Sequence, residues 1–355
     1  MRLRFLHGIF QEISCIQRRF ISICVQRKNK IEPSFRTKNT HCYRTLFPFD
    51  NLTELSEHLA SSVVYNKNGL IAINKPYGIK IHGHEQPGTR SKDGQRFLIP
   101  SIPECDLTLE DALEKLQERL NVPTLTILKS AERYTSGIVL LSTNEKTSNA
   151  VKNSFNRAKF QKIPHLTHWA LTFGYPGSNY KKEKVGIKFL ELENEEKKQP
   201  VIVQDPSKKA CVNKRVFPVH VEYRVLSVNK DLQTSLVEIG SSSVKYHFVR
   251  VYASSQICSI LGDMMYSNRM NTVLGVPVKV QIEHCHAFDL PPLPDKMTKT
   301  LNLPKGSNCS MIPTMLHLRS IFLPSFKGKD LTIEASLPHH FQWTAERLKL
   351  LDCAV

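Results

Sequence analysis

Lys129-Ser130-Ala131-Glu132-Arg133-Tyr134-Thr135-Ser136-Gly137-Ile138-Val139-Leu140-Leu141-Ser142 places one carboxylate, Glu132, just ahead of a short apolar run. Ile138–Leu141 reads as a strand, because four apolar residues are too few for a buried helix, and Thr135-Ser136-Gly137 reads as the turn that enters it. Working outward, Thr108 and Asp111 have capping-box spacing ahead of Ala112, Leu113, Leu116 and Leu120, which recur at helical intervals. Downstream, Glu145–Ala158 fits a second helix. Val63–Tyr65 and Leu70–Ile73 flank the polar turn Asn66-Lys67-Asn68-Gly69 and read as a hairpin. Asn74-Lys75-Pro76-Tyr77-Gly78 then breaks it: Pro76 lacks an amide donor and Gly78 opens conformations closed to other residues. His168–Phe173, Val219–Ser227, Ser235–Ile239, Leu316–Leu323 and Leu331–Ala335 read as strands, and Tyr246–Ser254 as a helix. Strands that dominate over a few helices predict an α+β fold.

The formal net charge is +17, which favours a polyanionic partner through counterion release. About half of that excess lies before Pro48, where roughly ten Lys/Arg face only Glu12 and Glu32. There Arg2, Arg4, Arg18, Arg19 and Arg27 alternate with Leu3, Phe5, Ile9, Phe10, Ile13, Ile16 and Phe20. An Arg-rich, acid-poor amphipathic segment reads as a mitochondrial targeting segment over 1–50, or alternatively as a basic arm that grips RNA. Residues 52–345 are expected to form the folded domain, with 176–215 as a mobile insertion, since Lys, Glu, Asn and Ser dominate it, and 346–355 as a tail. Nothing approaches the roughly 18–20 apolar residues of a membrane span. The nine cysteines contain no C-x-x-C pair, which argues for reduced thiols. In His284-Cys285-His286 neighbouring side chains point to opposite faces of an extended chain, so no metal site is expected.

Three segments resemble, in order, the hallmarks of RluA-type RNA pseudouridine synthases. Ile71-Ala72-Ile73-Asn74-Lys75-Pro76-Tyr77-Gly78-Ile79, with His82 after it, is similar to the strand ending in N-K-P-x-G. The stretch quoted first resembles H-R-L-D-x-x-T-S-G followed by a strand, with Glu132 at the position of the catalytic aspartate and Ser130 at that of the arginine. Lys245-Tyr246-His247-Phe248-Val249-Arg250-Val251 and Leu261-Gly262-Asp263-Met264-Met265-Tyr266 resemble G-R-x-H-Q-I-R-V-H and G-D-x-x-Y, with Lys245 at the first basic position. Leu316-His317-Leu318 and Phe322-Leu323-Pro324 are similar to the closing segment, so the resemblance runs from about Val63 to Phe341.

The resemblance implies a pseudouridine-synthase catalytic domain, with a mixed, mostly antiparallel sheet and flanking helices. It implies an isomerase that detaches uracil from ribose, turns it and rejoins it through carbon, on a nucleotide everted from its stack. It assigns the catalytic carboxylate to Glu132, its cation to Lys245, and the position of the family's tyrosine to His168. Lys129, Arg133, Lys75, His247 and Arg250 are expected to contact RNA. The family needs no cofactor and no metal. The expected partner is mitochondrial mRNA or rRNA in the matrix. Glu132 is one methylene longer than aspartate, so a weakened or inactive RNA-binding factor in mitoribosome assembly remains the alternative.

Overall fold

Ser136–Ser142 is buried at every residue, so both faces of its sheet must be covered; the unbroken apolar run records that requirement. In the computed structural model, which describes residues 41–47, 49–82, 107–191, 198–273, 276–282, 285, 290 and 292–351, this strand is β4. The order is α1 (Leu52–Ser61), β1 (Val63–Lys67), β2 (Leu70–Lys75), α2 (Leu109–Leu120), β3 (Thr126–Lys129), β4, α3 (Glu145–Phe160), β5 (Leu166–Phe173), β6 (Tyr180–Leu190) and β7 (Gln199–Gln204). There follow α4 (Lys208–Val212), β8 (Phe217–Asn229), β9 (Thr234–Ser241), α5 (Phe248–Gln256), β10 (Ser259–Ile260), β11 (Met270–Val273), β12 (Val276–Lys279), α6 (Asp295–Thr300), β13 (Leu316–Phe326), β14 (Lys329–Glu334) and α7 (His339–Arg347). A 12-stranded sheet runs β1-β2-β4-β13-β5-β9-β8-β6-β7, with β3, β10 and β14 branching from it. Its ladders are antiparallel except that of β13 with β4. The mixed, mostly antiparallel α+β architecture is therefore the observed one.

Alternate residues of the strands decide which helix covers which face. Ile71, Ile73, Val139 and Leu141 pack with Leu55 and Leu59 of α1 and Leu109, Ala112 and Leu116 of α2. Leu70, Ala72, Ile138 and Leu140 point the other way and pack with Val151 of α3. Farther along, Ala170, Val237 and Ile239 meet Phe248, Val249 and Tyr252 of α5, while Leu171 and Leu236 meet Met297 of α6 and Phe341 of α7. Leu166 shares the α3 cluster and Ala170 the α5 cluster. Four residues apart on β5, they lie on one face, so α3 and α5 stand side by side on that face. Thr108 and Asp111 exchange both bonds of the expected capping box; Asn144 caps α3 by accepting from Thr147 N at 2.8 Å, each cap being worth about 1 kcal/mol.

Three expected boundaries are corrected. Residues 176–215 contain β6 and β7, and Val185 and Ile187 of β6 are core residues, so this polar stretch extends the main sheet. Its four consecutive charges, Lys181–Lys184, lead directly into the buried Val185-Gly186-Ile187, a contrast that overall composition hides. Tyr43, Leu46, Phe47 and Phe49 are buried, so the domain begins before residue 52. At the other end Leu348 and Leu350 are buried too, and do not form a tail. Residues 1–40, with the expected targeting segment, lie outside the described residues, as do His284 and His286. No helix among the described residues is long and apolar enough to cross a membrane.

Candidate active site

Antiparallel pairing of β2 with β4 sets Lys75 opposite Gly137, so the turn leaving β2 and the turn entering β4 must be neighbours. They are tied by Gly78 N to Arg133 O at 2.9 Å and Arg133 Nε to Gly78 O at 3.3 Å. Glu132 begins the second turn, its carbonyl accepting from Thr135 N at 3.1 Å. Gly137 is required here: its φ is +120°, and a Cβ would lie 2.4 Å from Leu318 O of β13. That close approach brings Ser136 Oγ to 3.0 Å from His317 Nδ1.

The cation facing Glu132 is Arg250. Its Nη1 stands 3.5 Å from Glu132 Oε2, with side-chain exposures of 2% for the arginine and 28% for the glutamate. Asp263 holds the other edge of the guanidinium through Nε–Oδ2 at 2.9 Å and Nη2–Oδ1 at 2.6 Å, a fork that only arginine can fill. Burial opposes the guanidinium's charge, but Asp263 and then Glu132 outweigh it and push its pKa above the ordinary value. Asp263 Oδ1 also accepts from Met265 N at 3.0 Å and Tyr266 N at 3.3 Å. Gly262, at φ +80° with Pro313 O 2.3 Å from its would-be Cβ, lets the Asp263 turn sit this deep. Tyr266 and His247 complete the wall, hydroxyl to Nδ1 at 3.0 Å. Tyr246 and His247 both take left-handed backbone, at φ 61° and 56°, which turns the chain into α5.

The expected pairing of Lys245 with Glu132 is corrected, because Lys245 lies exposed on the single turn before α5, whereas Arg250 projects from the buried face of that helix. Two of the expected RNA contacts are buried within the fold. Arg250 is buried between two carboxylates. Lys75 is wholly buried and donates to Pro76 O at 3.1 Å and Ile79 O at 3.3 Å. Burial, then Arg133, lowers its pKa to about 7, with Glu132 opposing. Arg133 is half-buried against Gly78 and Tyr134, and His247 is half-buried against Tyr266. Lys129 is half-buried, and desolvation followed by Lys159 lowers its pKa to about 8.

His168 lies on β5 opposite Leu318 and Ile239, on the face that α3 and α5 cover. Burial, then Lys129 and His317, pushes its pKa down to about 3, so it is neutral in the fold. Its buried Nδ1 has no hydrogen-bond partner among the described residues, and neither has Thr135 Oγ1 in the Glu132 turn. Sequence reasoning gave Asp263 only as part of the segment resembling G-D-x-x-Y and Arg250 only as an RNA contact, and did not pair them. A useful signal was present: an arginine flanked by Val249 and Val251 demands a buried acid, and Gly262-Asp263 follows closely. No three His, Cys, Asp or Glu side chains among the described residues group to hold a metal ion.

The sequence profile of the RNA pseudouridylate synthase family matches residues 69–255, more than half of the chain. The chain is 27% identical over 299 residues to human mitochondrial mRNA pseudouridine synthase RPUSD3, covering 84% of this chain and 78% of that protein. It is 26% identical over 310 residues to human mitochondrial pseudouridylate synthase RPUSD4, covering 83% and 71%. The solved structure of human RNA pseudouridylate synthase domain containing 4 shares the fold, with a TM-score of 0.59 and 20% identity over 84% of this chain and 97% of that one. Glu132, His168 and Arg250 all fall within the matched segment, and on that match the chain belongs to the RNA pseudouridylate synthase family.

Proposed function

We propose that this chain converts uridine to pseudouridine in mitochondrial RNA, acting in the matrix on a messenger or ribosomal transcript, with Glu132 as the reacting carboxylate. The observation that carries the reading is the Glu132–Arg250 pair: a partly exposed acid 3.5 Å from a buried, anchored guanidinium. The reaction is a net isomerisation. The C1′–N1 bond breaks, the uracil turns, a C1′–C5 bond forms, the C5 proton leaves to solvent, and N1 takes up a proton in exchange. Glu132 adds to C1′ or removes a nearby proton, and Arg250, fixed by Asp263, aims it. His168, neutral at physiological pH, offers its unpaired Nδ1 to the edge of the everted base. The extra methylene of glutamate moves the reacting oxygens by about 1 Å relative to aspartate, a displacement that can cost on the order of 10²-fold unless the cation is placed to suit.

The compartment and substrate are supported by the relatives named above, two mitochondrial enzymes of which one is named for mRNA, and by the basic amphipathic N-terminus. A second reading, an RNA-binding factor in mitoribosome assembly, draws its support from the lengthened acid. Pseudouridine mapping of mitochondrial RNA after depletion separates the two. Enzyme action predicts positions lost on depletion, restored by the wild-type chain and not by Glu132→Gln; restoration by the variant supports the scaffold.

A further inference from the structure

The solvent face of α3 takes no part in the chemistry above, yet its composition is unusual. From Lys146 to Lys162 the chain carries Lys146, Lys152, Arg157, Lys159 and Lys162 and no acid. Helix α2, by contrast, mixes Glu110, Asp111, Glu114 and Glu118 with Lys115 and Arg119. Asn149, Asn153, Asn156 and Phe160 of α3 are all exposed. Their spacing lines them up in one stripe. Asparagine is a poor helix former, so this stripe costs stability where packing imposes no choice. Phe160 ends the helix 87% exposed. A lone exposed phenylalanine is ordinary. One held out among cations, with no acid nearby in sequence, has the form that single strands bind, phosphates on the cations and a base on the ring.

The last turn is fixed in place. Ile163 N bonds Ala158 O at 2.9 Å and Lys162 N bonds Lys159 O at 3.1 Å, with Lys162 at φ 60°, where such caps usually take glycine. Towards the cleft, Ala131 and Val244 share an apolar cluster with Val151 and Phe155 of α3, and Lys129 feels the charges of Lys159 and Lys245. Away from it, Pro164 packs 3.2 Å from the Cβ position of Gly240, and His220, opposite Lys184 in the β6–β8 ladder, feels Lys184, Lys162 and Lys182. The cations therefore continue from Lys129, beside Glu132, past the end of α3 to Lys184 of β6, where Lys182 pairs with Glu222 at 3.4 Å.

We propose that the outer face and last turn of α3, comprising Asn153, Asn156, Arg157, Lys159, Phe160 and Lys162, bind single-stranded RNA flanking the target uridine, one base stacking on Phe160. This rests on the reading of the cleft as a uridine isomerase, but its test needs no turnover. Binding of a fluorescein-labelled, uridine-containing single strand of roughly 20 nucleotides to the full chain is followed by anisotropy across a salt series. Phe160→Ala is expected to raise Kd about 10-fold, while Phe160→Trp stays within about 2-fold. The pair Lys159→Ala and Lys162→Ala is expected to flatten the slope of log K against log salt by about 1.4. Melting midpoints stay unchanged, since these side chains are exposed. A Phe160→Ala Kd within about 2-fold of wild type overturns the proposal. So does loss of a co-purifying protein with RNA affinity intact, which would assign the face to a protein. Loss of affinity in Phe160→Ala on a chain that proves unable to isomerise uridine would sink the enzymatic reading and leave this one standing.

Discussion

Arg250 and His168 are buried on the same face of the sheet, yet they are supported in opposite ways. Asp263, Glu132 and Tyr266 surround the guanidinium with two acids and a ring face, and Asp263 is itself held by two backbone amides. His168 Nδ1 and Thr135 Oγ1 have no partner among the described residues. A buried polar atom left unpaired costs about 1–3 kcal/mol, and proteins retain such costs where a ligand removes them. On the proposed reading the two regions do different work: the arginine side aims the reacting carboxylate, and the histidine side meets a polar edge that arrives with the substrate.

Breaking the supported side should have the largest effect. Asp263→Ala leaves Arg250 buried with a single distant acid, and the expected loss is about 3–5 kcal/mol in urea unfolding, with activity lost alongside. A loss under about 1 kcal/mol would mean that the fork contributes little. Arg250→Lys keeps the charge but cannot hold Asp263 on one edge and face Glu132 with the other. Its kcat is expected to fall about 10²-fold with a smaller change in KM.

The open side makes the opposite prediction. His168→Leu removes the unpaired nitrogen, so the melting midpoint should hold or rise while the rate falls about 10-fold; an unchanged rate would reduce His168 to packing. The same variant tests a pH dependence. His165, His168 and His317 have folded pKa values near 4, 3 and 4, against 6.5 unfolded. Between pH 6.5 and those values the unfolded chain binds protons that the fold refuses, so stability is full above 6.5 and falls on acidification. Each contributes up to about 1.4 kcal/mol per pH unit, and His168→Leu should remove one such share from the slope. The smallest effect belongs to Lys245→Ala. The side chain is exposed, and the ion pair of Glu132 among the described residues is with Arg250, so kcat should stay within about 2-fold, and a loss comparable to that of Arg250→Lys would restore Lys245 as the paired cation.

Much of this was legible in the residues. The apolar runs Leu70–Ile73 and Ile138–Leu141, the Thr108 cap and the Pro76–Gly78 break each dictate local structure by short-range physics, and the strands, the helix and the turn formed where expected. Glu132 was singled out by the resemblance of its segment to H-R-L-D-x-x-T-S-G rather than by local physics. Its partner was not, because whether Lys245 or Arg250 turns inward depends on two left-handed residues, Tyr246 and His247, that local propensity disfavours. The sheet strand β6 was hidden by its run of charges, Lys181–Lys184, which joins the buried Val185–Ile187 in one strand through pairing with β8. Asp263 was visible only through the segment resembling G-D-x-x-Y, and its hold on Arg250 appears when α5 is packed against it.

Release of tritium from 5-labelled uridine in RNA by the purified chain, compared with Glu132→Gln, addresses the reacting group itself. Glutamine preserves size and leaves Arg250 anchored by Asp263, so the account predicts a folded variant with unchanged RNA affinity and release reduced at least about 10³-fold. Equal release from the two proteins would contradict it.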